Sequence, residues 1–429
     1  MPPLFAGLLE ALSALLFAAG LAGLFALLRG YSHLRRPDRT PMQNDQNLLL
    51  KSPLVPALSL LAVVRDASPE SREFVRRLLQ VHFGNFETVL VWNGLSEADV
   101  EVWKSEYRLS VSSRKPLASL PHARVRCLYE PRDPNCLVVV STDGGTEADS
   151  LNAALSVARS PLIGIVEADC DFQPDVFLRL VRPILEDPER TVAAWGAAPD
   201  FSHSGLPARF ATLESLRAWL GRCGLPDEGN STAWVPGCSI LVSREALLEA
   251  GGFRAGRLEL LLRLYSGARA AGRPYRIAFV PEPRSHLRPI GTWGQHRALA
   301  FAGQRQVARA LRSQGLQAPG LFSLVAFRVL HPLLETAAYA LTAMGLAFGW
   351  VTWDLAALVA LSSMGMGILQ SMTAVVLREM AGSESSGPAQ LAGLFFASIP
   401  ENLAYRPLRN LWLIRGLWNA SSRPAHGTP

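Results

Sequence analysis

Apolar residues crowd toward the two ends of this chain and alternate with polar ones through its middle. From Leu4 to Leu28 the sequence is an almost unbroken run of Leu, Ala, Phe and Gly, interrupted by Glu10. Such a run predicts a helix able to cross a hydrocarbon core of about 30 Å. A signal peptide fits less well, because no basic segment precedes the run and no clear cleavage site follows it. His331 to Trp350 and Asp354 to Val376 are two further apolar stretches joined by a very short turn, and they predict two more spans. Glu335 stands inside the first of these; a charge there is expensive, so it faces protein or a water-filled path, or else the helix begins later. Leu391 to Ser398 is too short to cross alone. It reads either as a re-entrant hairpin or as part of a helix that continues past Pro400 and carries Glu401 and Arg406 toward the bilayer.

Between these ends the pattern changes period. Residues 37–54 form a polar linker, and Leu58 to Val64 is then an apolar run of the kind that makes a buried strand. A helical pattern from Ser71 to Val81 and a second strand run, Thr88 to Trp92, complete a βαβ unit with a parallel sheet. The order continues through a strand at Cys136–Val140, a helix at Ala148–Ala158, a strand at Leu162–Val166 and a helix from Gln173 to Leu185 that opens with Pro174. A strand within Trp234–Ser243 enters a helix at Glu245, which Gly251-Gly252-Phe253 ends as a glycine cap. An apolar helix over Leu258–Leu264 and a strand over Tyr275–Val280 close the block. The expected fold class is α/β, a Rossmann-like domain plus transmembrane helices. The expected division is a transmembrane helix over 1–30, a linker over 31–54, a soluble domain over 55–285, interfacial amphipathic helices over 286–320, transmembrane or interfacial helices over 321–418 and a tail over 419–429.

The charge balance changes the picture little. With 42 Lys and Arg against 36 Asp and Glu the chain is net positive, but the basic residues are nearly all Arg and are spread along it, so nucleic acid is not the expected partner. Anionic lipid headgroups are sufficient. Arg29, Arg35, Arg36 and Arg39 follow the first span, which puts that flank and the soluble block in the cytoplasm and the amino terminus outside; Arg378 does the same after the last span. Five cysteines, Cys127, Cys136, Cys170, Cys223 and Cys238, have no metal-ligand spacing and are expected as free thiols.

The chemistry is concentrated at strand ends. In open α/β sheets a ligand lies outside the carboxyl ends of the strands, and Asp66, Asn93 and the cluster Glu167, Asp169 and Asp171 all fall there. Carboxylates at alternate strand positions point the same way, so the three acids can converge as an oxygen site for Mg²⁺ or Mn²⁺ bearing a nucleotide diphosphate. The competing reading is a solvated strand end.

Taken together these residues resemble the membrane-embedded inverting glycosyltransferases of family 2, which include cellulose and hyaluronan synthases and ceramide glucosyltransferase. The resemblance covers roughly residues 55–420, most of the chain on the usual scale of domain sizes. It rests on Ala148-Asp-Ser-Leu-Asn-Ala-Ala-Leu155, on Glu167-Ala-Asp169 in the place of an Asp-x-Asp motif, and on Gly237 through Arg244 to Gly251-Gly252-Phe253 at the acceptor side. Glu401-Asn-Leu-Ala-Tyr405-Arg406 and Arg415-Gly416-Leu417-Trp418 are similar to the carboxyl-terminal signature of bacterial members. The resemblance implies a GT-A domain over 55–285, a nucleotide-diphosphate sugar donor of the UDP-sugar kind, a divalent ion, and transfer of a hexose to a lipid or growing polysaccharide at a bacterial inner membrane. It further implies Asp169 as the principal metal ligand, assisted by Glu167 or Asp171, and Asp66, Trp92, Asn93, Asp149 and Asn152 on the nucleotide side.

Departures from the family pattern fall on the chemistry. Trp92-Asn93 replaces a pair of Asp residues, so that Asn would hydrogen-bond the base and Trp would stack on it. Glu147 stands where a Lys is usual, and Gly256-Arg257 where Glu-Asp carries the catalytic base. Arg cannot be a base near neutral pH, which leaves Glu259 as the nearest candidate. Gln295, His296 and Arg297, followed by Ala298 and Leu299, are a remnant of the Gln-x-x-Arg-Trp motif on the acceptor and diphosphate side, or equally the solvated face of an interfacial helix. Three functions remain open: an active membrane glycosyltransferase, an inactive relative that binds or scaffolds an active partner subunit, and a transferase using a lipid-phosphate sugar.

Overall fold

The computed structural model of the chain describes residues 2–35, 52, 54–116, 120–132, 136–166, 170–196, 205–225, 239–254, 259–264, 272, 276–281, 285–287, 290–314, 325–381 and 387–422. By contact the chain divides into two units: Pro41–Ala198 with Pro236–Arg288 and the last three residues, and Met1–Thr40 with Pro199–Val235 and Pro289–His426. The segment 199–235, which falls inside the soluble block expected over 55–285, clusters with the second of these.

The first unit is α/β. Its strands are β1 (Leu58–Val64), β2 (Phe86–Asn93), β3 (Leu109–Val111), β4 (Val125–Pro131), β5 (Leu137–Thr142), β6 (Leu162–Val166), β7 (Cys170–Phe172), β8 (Thr191–Gly196), β9 (Ser239–Ser243), β10 (Arg276–Val280) and β11 (Ser285–Leu287). Nine strands form one sheet in the order β10-β8-β9-β6-β1-β2-β5-β4-β3, and β11 pairs separately with β7. The centre, β6-β1-β2-β5, is parallel, which explains why these strands read as continuous apolar runs: both faces are covered. On one face Leu58, Leu60, Ala62 and Val64 meet Phe74, Phe177 and Trp103 from the helices Pro69–Leu79, Val176–Glu186 and Glu97–Tyr107. On β1 the alternate residues point the other way, and the helix Glu147–Val157, buried from Ser150 to Val157, packs on β1 and β2.

The chain runs from β1 outward through β2 and β5, then returns to β6 on the opposite side of β1. That reversal opens a crevice at the carboxyl ends of β1 and β6, the position where doubly wound sheets take their ligands. Among the described residues Cys127, Cys136, Cys170 and Cys223 are free thiols; Cys238 lies outside them.

The second unit is helical. Among the described residues two helices are long and apolar enough to cross a membrane, Leu4–Leu34 and Trp353–Ala381. They run in the same direction, with Gly20 against Met366, Gln370 donating to the Gly20 carbonyl and Arg35 near the Met380 carbonyl, so both end on basic residues at the same level. His331–Ala347, expected as a span, is not one of them, although the π-helical turn Ala326–Leu330 runs directly into it; Arg328, His331 and Glu335 interrupt its apolar run. The turn just after it meets the first helix, where Phe5 lies against Trp350 with ring centroids 5.6 Å apart.

Glu335 faces protein. It is 0% exposed and accepts from Asn410 Nδ2 (2.7 Å), Tyr339 Oη (3.0 Å) and Ser363 Oγ, with Arg406 Nε 3.1 Å away. The stretch around Leu391–Ser398 does continue past Pro400, as the helices Pro388–Pro400 and Arg406–Ser422 joined by a π-helical turn, Glu401–Tyr405. Glu401 is buried there against Arg217.

Candidate active site

The loop after β1 is fixed before any ligand arrives. Ser68 caps the helix Pro69–Leu79, and Asp66 Oδ1 accepts from the Ser68 N–H (3.1 Å) and the Ser71 hydroxyl (2.6 Å). These bonds, the Ser71 hydroxyl's first, hold the Asp66 carboxyl below its ordinary value, so it is a charged group presented at the crevice. Trp103 Nε1 donates to the Asp66 carbonyl and Asp99 accepts from the Ala67 N–H, tying the loop to the helix Glu97–Tyr107.

β2 ends at Asn93, half-buried, whose Nδ2 donates to the Gly145 carbonyl (3.1 Å). That bond fixes the amide's orientation, since a flipped amide would set oxygen against oxygen. Its Oδ1 is buried and accepts nothing among the described residues. The loops after β2 and β5 can meet there because Gly94 has φ +67° and Gly144 φ +103°, and a Cβ on Gly94 would lie 3.3 Å from the Gly144 Cα. Trp92 corrects the expectation. It is 0% exposed and lies in the core 5.4 Å from the Tyr129 ring, so its face is not offered to a base.

Two more residues of the nucleotide set are structural. Asp149 forms a capping box with Thr146 at the start of the helix Glu147–Val157: the Thr146 hydroxyl donates to Asp149 Oδ2 (2.7 Å) and accepts from the Asp149 N–H. Asn152 is 3% exposed; its Nδ2 donates to the Pro121 and Phe253 carbonyls and its Oδ1 accepts from the Phe253 N–H, so the amide is used inside the protein. Glu147 itself is exposed.

Through Phe253 this clamp reaches the base candidate. The expected glycine cap is present as a Schellman turn, with Gly252 N–H on the Leu247 carbonyl and Gly251 N–H on that of Leu248. Gly252 has φ +70°, and a Cβ there would stand 2.5 Å from Asn152 Oδ1. Arg263, on a short helix over 259–264, donates to the Ala250 (2.6 Å) and Gly252 (2.7 Å) carbonyls. Glu259 is half-buried one turn earlier, within the field of Arg263. Gly256-Arg257 lies outside the described residues, as do Glu167 and Asp169.

Asp171, the third acid, does not continue β6. It sits on β7, where Arg77 binds it at 2.6 Å while also lying over the Phe172 ring. The β7–β11 register sets His286 opposite Asp171. Nothing in the sequence links Arg77 to an acid 94 positions later, and the β11 strand of three residues is too short to be read from period. Among the described residues no three His, Cys, Asp or Glu cluster as a metal site. The acids between β6 and β7 are oxygen donors only, the class that suits Mg²⁺ or Mn²⁺.

Gln295, His296 and Arg297 belong to the helical unit. Gln295 Oε1 accepts from the Gly291 and Thr292 N–H groups and so caps the helix Trp293–Gln314. His296 is 5% exposed, its Nδ1 2.8 Å from the Tyr405 hydroxyl and its Nε2 2.8 Å from the Pro207 carbonyl; burial lowers its pKa despite the Pro207 contact. Of the three only Arg297 is exposed and without a side-chain partner among the described residues, so the set does not stand together toward an acceptor or diphosphate.

No protein-family model matches the sequence, and no curated protein matches it. Solved structures do. A mannosyltransferase from Pyrobaculum calidifontis, in complex with GDP-Man and Mn²⁺, is similar at TM-score 0.54 and 17% identity, over 92% of this chain and 99% of that one. Glucosyl-3-phosphoglycerate synthase from Mycobacterium tuberculosis, in complex with phosphoglyceric acid, is similar at TM-score 0.37 and 16% identity over 65% of this chain and 85% of that one. The first likeness shows the fold: each unit is about half of the chain, so the match extends over both, and the α/β unit is of the GT-A type.

Proposed function

We propose that the chain is a membrane glycosyltransferase that moves a sugar from a nucleotide-diphosphate donor to a lipid or polysaccharide acceptor. The observation that carries this reading is the buried Asn93 Oδ1 at the end of β2, an acceptor without a donor among the described residues, beside a pre-fixed and charged Asp66 at the end of the neighbouring strand. A nucleobase N–H is the group such an acceptor lacks. The fold shared with a protein solved with GDP-Man and Mn²⁺ supports a nucleotide sugar, and the two long apolar helices support attachment to a membrane, with the arginines at their ends on the cytoplasmic side.

In this reading Glu167 and Asp169 hold a divalent ion, Mg²⁺ or Mn²⁺, which when bound would neutralise charge on the departing diphosphate. Asp171 can join them through Oδ2, with Arg77 on its Oδ1 competing for the charge. Glu259 takes the proton of the acceptor hydroxyl, its helix held by the two Arg263 bonds. A bacterial inner membrane, UDP as the nucleotide and a hexose as the sugar belong to the same proposal.

A second reading, a binding or scaffolding subunit without transfer, is favoured by one observation: the third acid is engaged by an arginine. Calorimetric titration of the detergent-purified protein with UDP and with GDP, with and without Mn²⁺, beside Asp169→Ala, separates the two. Metal-dependent binding lost in the variant, followed by sugar transfer, is expected; nucleotide binding without transfer supports the scaffold. Absence of any nucleotide binding would overturn the transferase reading and leave the scaffold.

A further inference from the structure

The helix Arg406–Ser422 has two unlike sides. Asn410, Leu413 and Gly416 turn inward: Asn410 Nδ2 donates to Glu335, and a Cβ on Gly416 would stand 2.9 Å from the Phe301 ring of the helix Trp293–Gln314. Leu408, Leu411, Arg415 and Trp418 stand at i, i+3, i+7 and i+10, the spacing of one helix side. All four are exposed, Leu411 to 53% and Trp418 to 76%.

No membrane span accounts for this side. The helix has 17 residues, carries Arg406, Arg409, Asn410 and Arg415, and is not one of the two apolar enough to cross. Apolar surface gathered on one side of a polar helix marks a surface that something covers.

Its place in the helical unit and its charge say what covers it. His331–Ala347 ends against Phe5, at the start of the first long helix, so Glu335 at its other end lies toward the ends marked by Arg35 and Arg378. Arg406 and Asn410 bind Glu335 and bring the start of Arg406–Ser422 to that half. The preceding helix, Pro388–Pro400, packs on the last half of Trp353–Ala381 and leaves Phe396 67% exposed, so exposed apolar residues lead from the long helix toward Leu408. Neither Arg406–Ser422 nor Trp293–Gln314, which packs along it, contains an acidic residue. Arg297, Arg305, Arg309 and Arg415 are exposed and make no ion pair among the described residues. A two-fold contact with a second copy would set basic side against basic side.

We propose that the outer side of Arg406–Ser422 is seated in the surface of an anionic bilayer. Leu408, Leu411 and Trp418 enter the boundary between acyl chains and headgroups, and Arg415 meets lipid phosphate. This rests on the membrane reading above and is independent of sugar transfer.

The test is fluorescence of the full chain in bilayer nanodiscs of phosphatidylcholine, or of phosphatidylcholine and phosphatidylglycerol in equal parts, with and without phosphatidylcholine brominated on its acyl chains. The difference between the protein and Trp418→Phe reads Trp418 alone, and the same difference is taken in Leu411→Glu and Arg415→Gln. Trp418 is expected to be quenched by brominated lipid and not by aqueous acrylamide, and Leu411→Glu to abolish the lipid quenching. Phosphatidylglycerol is expected to raise the ratio of seated to lifted helix about fivefold, the scale of one basic residue at an anionic surface, in the protein but not in Arg415→Gln. Equal quenching in the two lipid mixtures overturns the anionic partner. If other tryptophans respond to brominated lipid while Trp418 responds to acrylamide alone, the side faces water; if Trp418 responds to neither, protein covers it; either result overturns the proposal. Loss of lipid quenching at every tryptophan overturns the membrane reading as well.

Discussion

Arg217 and Glu401 meet as a fork, Nη1 to Oε2 at 2.8 Å and Nη2 to Oε1 at 2.7 Å, across 184 residues of sequence. Ser371 and Asn402 complete the shell around the Glu401 carboxylate, which is 1% exposed. Removing one side of such a pair leaves a bare buried charge, while removing both leaves none. Arg217→Met is therefore expected to cost about 3–5 kcal/mol, and Arg217→Met with Glu401→Met to recover most of it. Thermal unfolding in detergent checks this; a double variant no more stable than the single one would contradict it.

Asn93→Ala removes the orphan acceptor at the crevice. One hydrogen bond is worth about 0.5–1.5 kcal/mol net, so nucleotide affinity should fall about two- to tenfold, and loss of the Nδ2 bond to the Gly145 carbonyl should cost stability on the same scale. Titration with UDP and GDP reads the effect, and unchanged affinity for both would remove Asn93 from the site.

Arg77 competes with a cation for Asp171. Neutralising it as Arg77→Gln removes a positive charge 2.6 Å from that carboxylate. Because Asp171 is exposed, the stability change should stay within about 1 kcal/mol, and Mn²⁺ affinity in the presence of nucleotide should rise about fivefold. Unaltered Mn²⁺ affinity would show that Asp171 stays outside the metal shell.

Glu87 predicts an acid limb. Burial pushes its carboxyl up, but the Arg114 guanidinium, the Arg159 N–H and the Ser59 hydroxyl outweigh this and hold it below 4.5. A folded pKa below the unfolded one gives stability that is present above 4.5 and lost as pH falls through the folded value. Glu87→Gln should therefore be less stable near neutral pH, and its deficit should shrink on acidification below 4.5. Melting curves of the two proteins that stay parallel through that window would refute the assignment.

The parallel core was legible because its strands carry no polar face. β1 and β6 have the bounds that their apolar runs give, and β2 begins two residues earlier because Phe86 and Glu87 pair with Leu58 and Ser59. β3, β7 and β11 were not legible, being three residues each. Asn152 and Trp92 show the limit of motif reasoning at the site. Both sit at the expected positions, but one is used by Phe253 and the other by the core, and neither partner is near in sequence. The helix Leu206–Cys223 escaped notice for a related reason: Glu214 and Arg217 look solvent-facing until Arg409 and Glu401 are placed beside them.

That helix also has a consequence for how the protein is made. Its charges leave the ribosome 184 residues ahead of Glu401, which at about 5–20 residues per second is a wait of about 10–40 s. Until the carboxyl-terminal helices are synthesised, Arg217 and Glu214, three positions apart on one helix, lack the partners Glu401 and Arg409 that bury them and stay hydrated. The amino-terminal helix is made early, but completion of the bundle around it is held until translation is nearly finished. A nascent chain stalled before Glu401 would leave Arg217 on a hydrated surface where the finished protein has a buried fork.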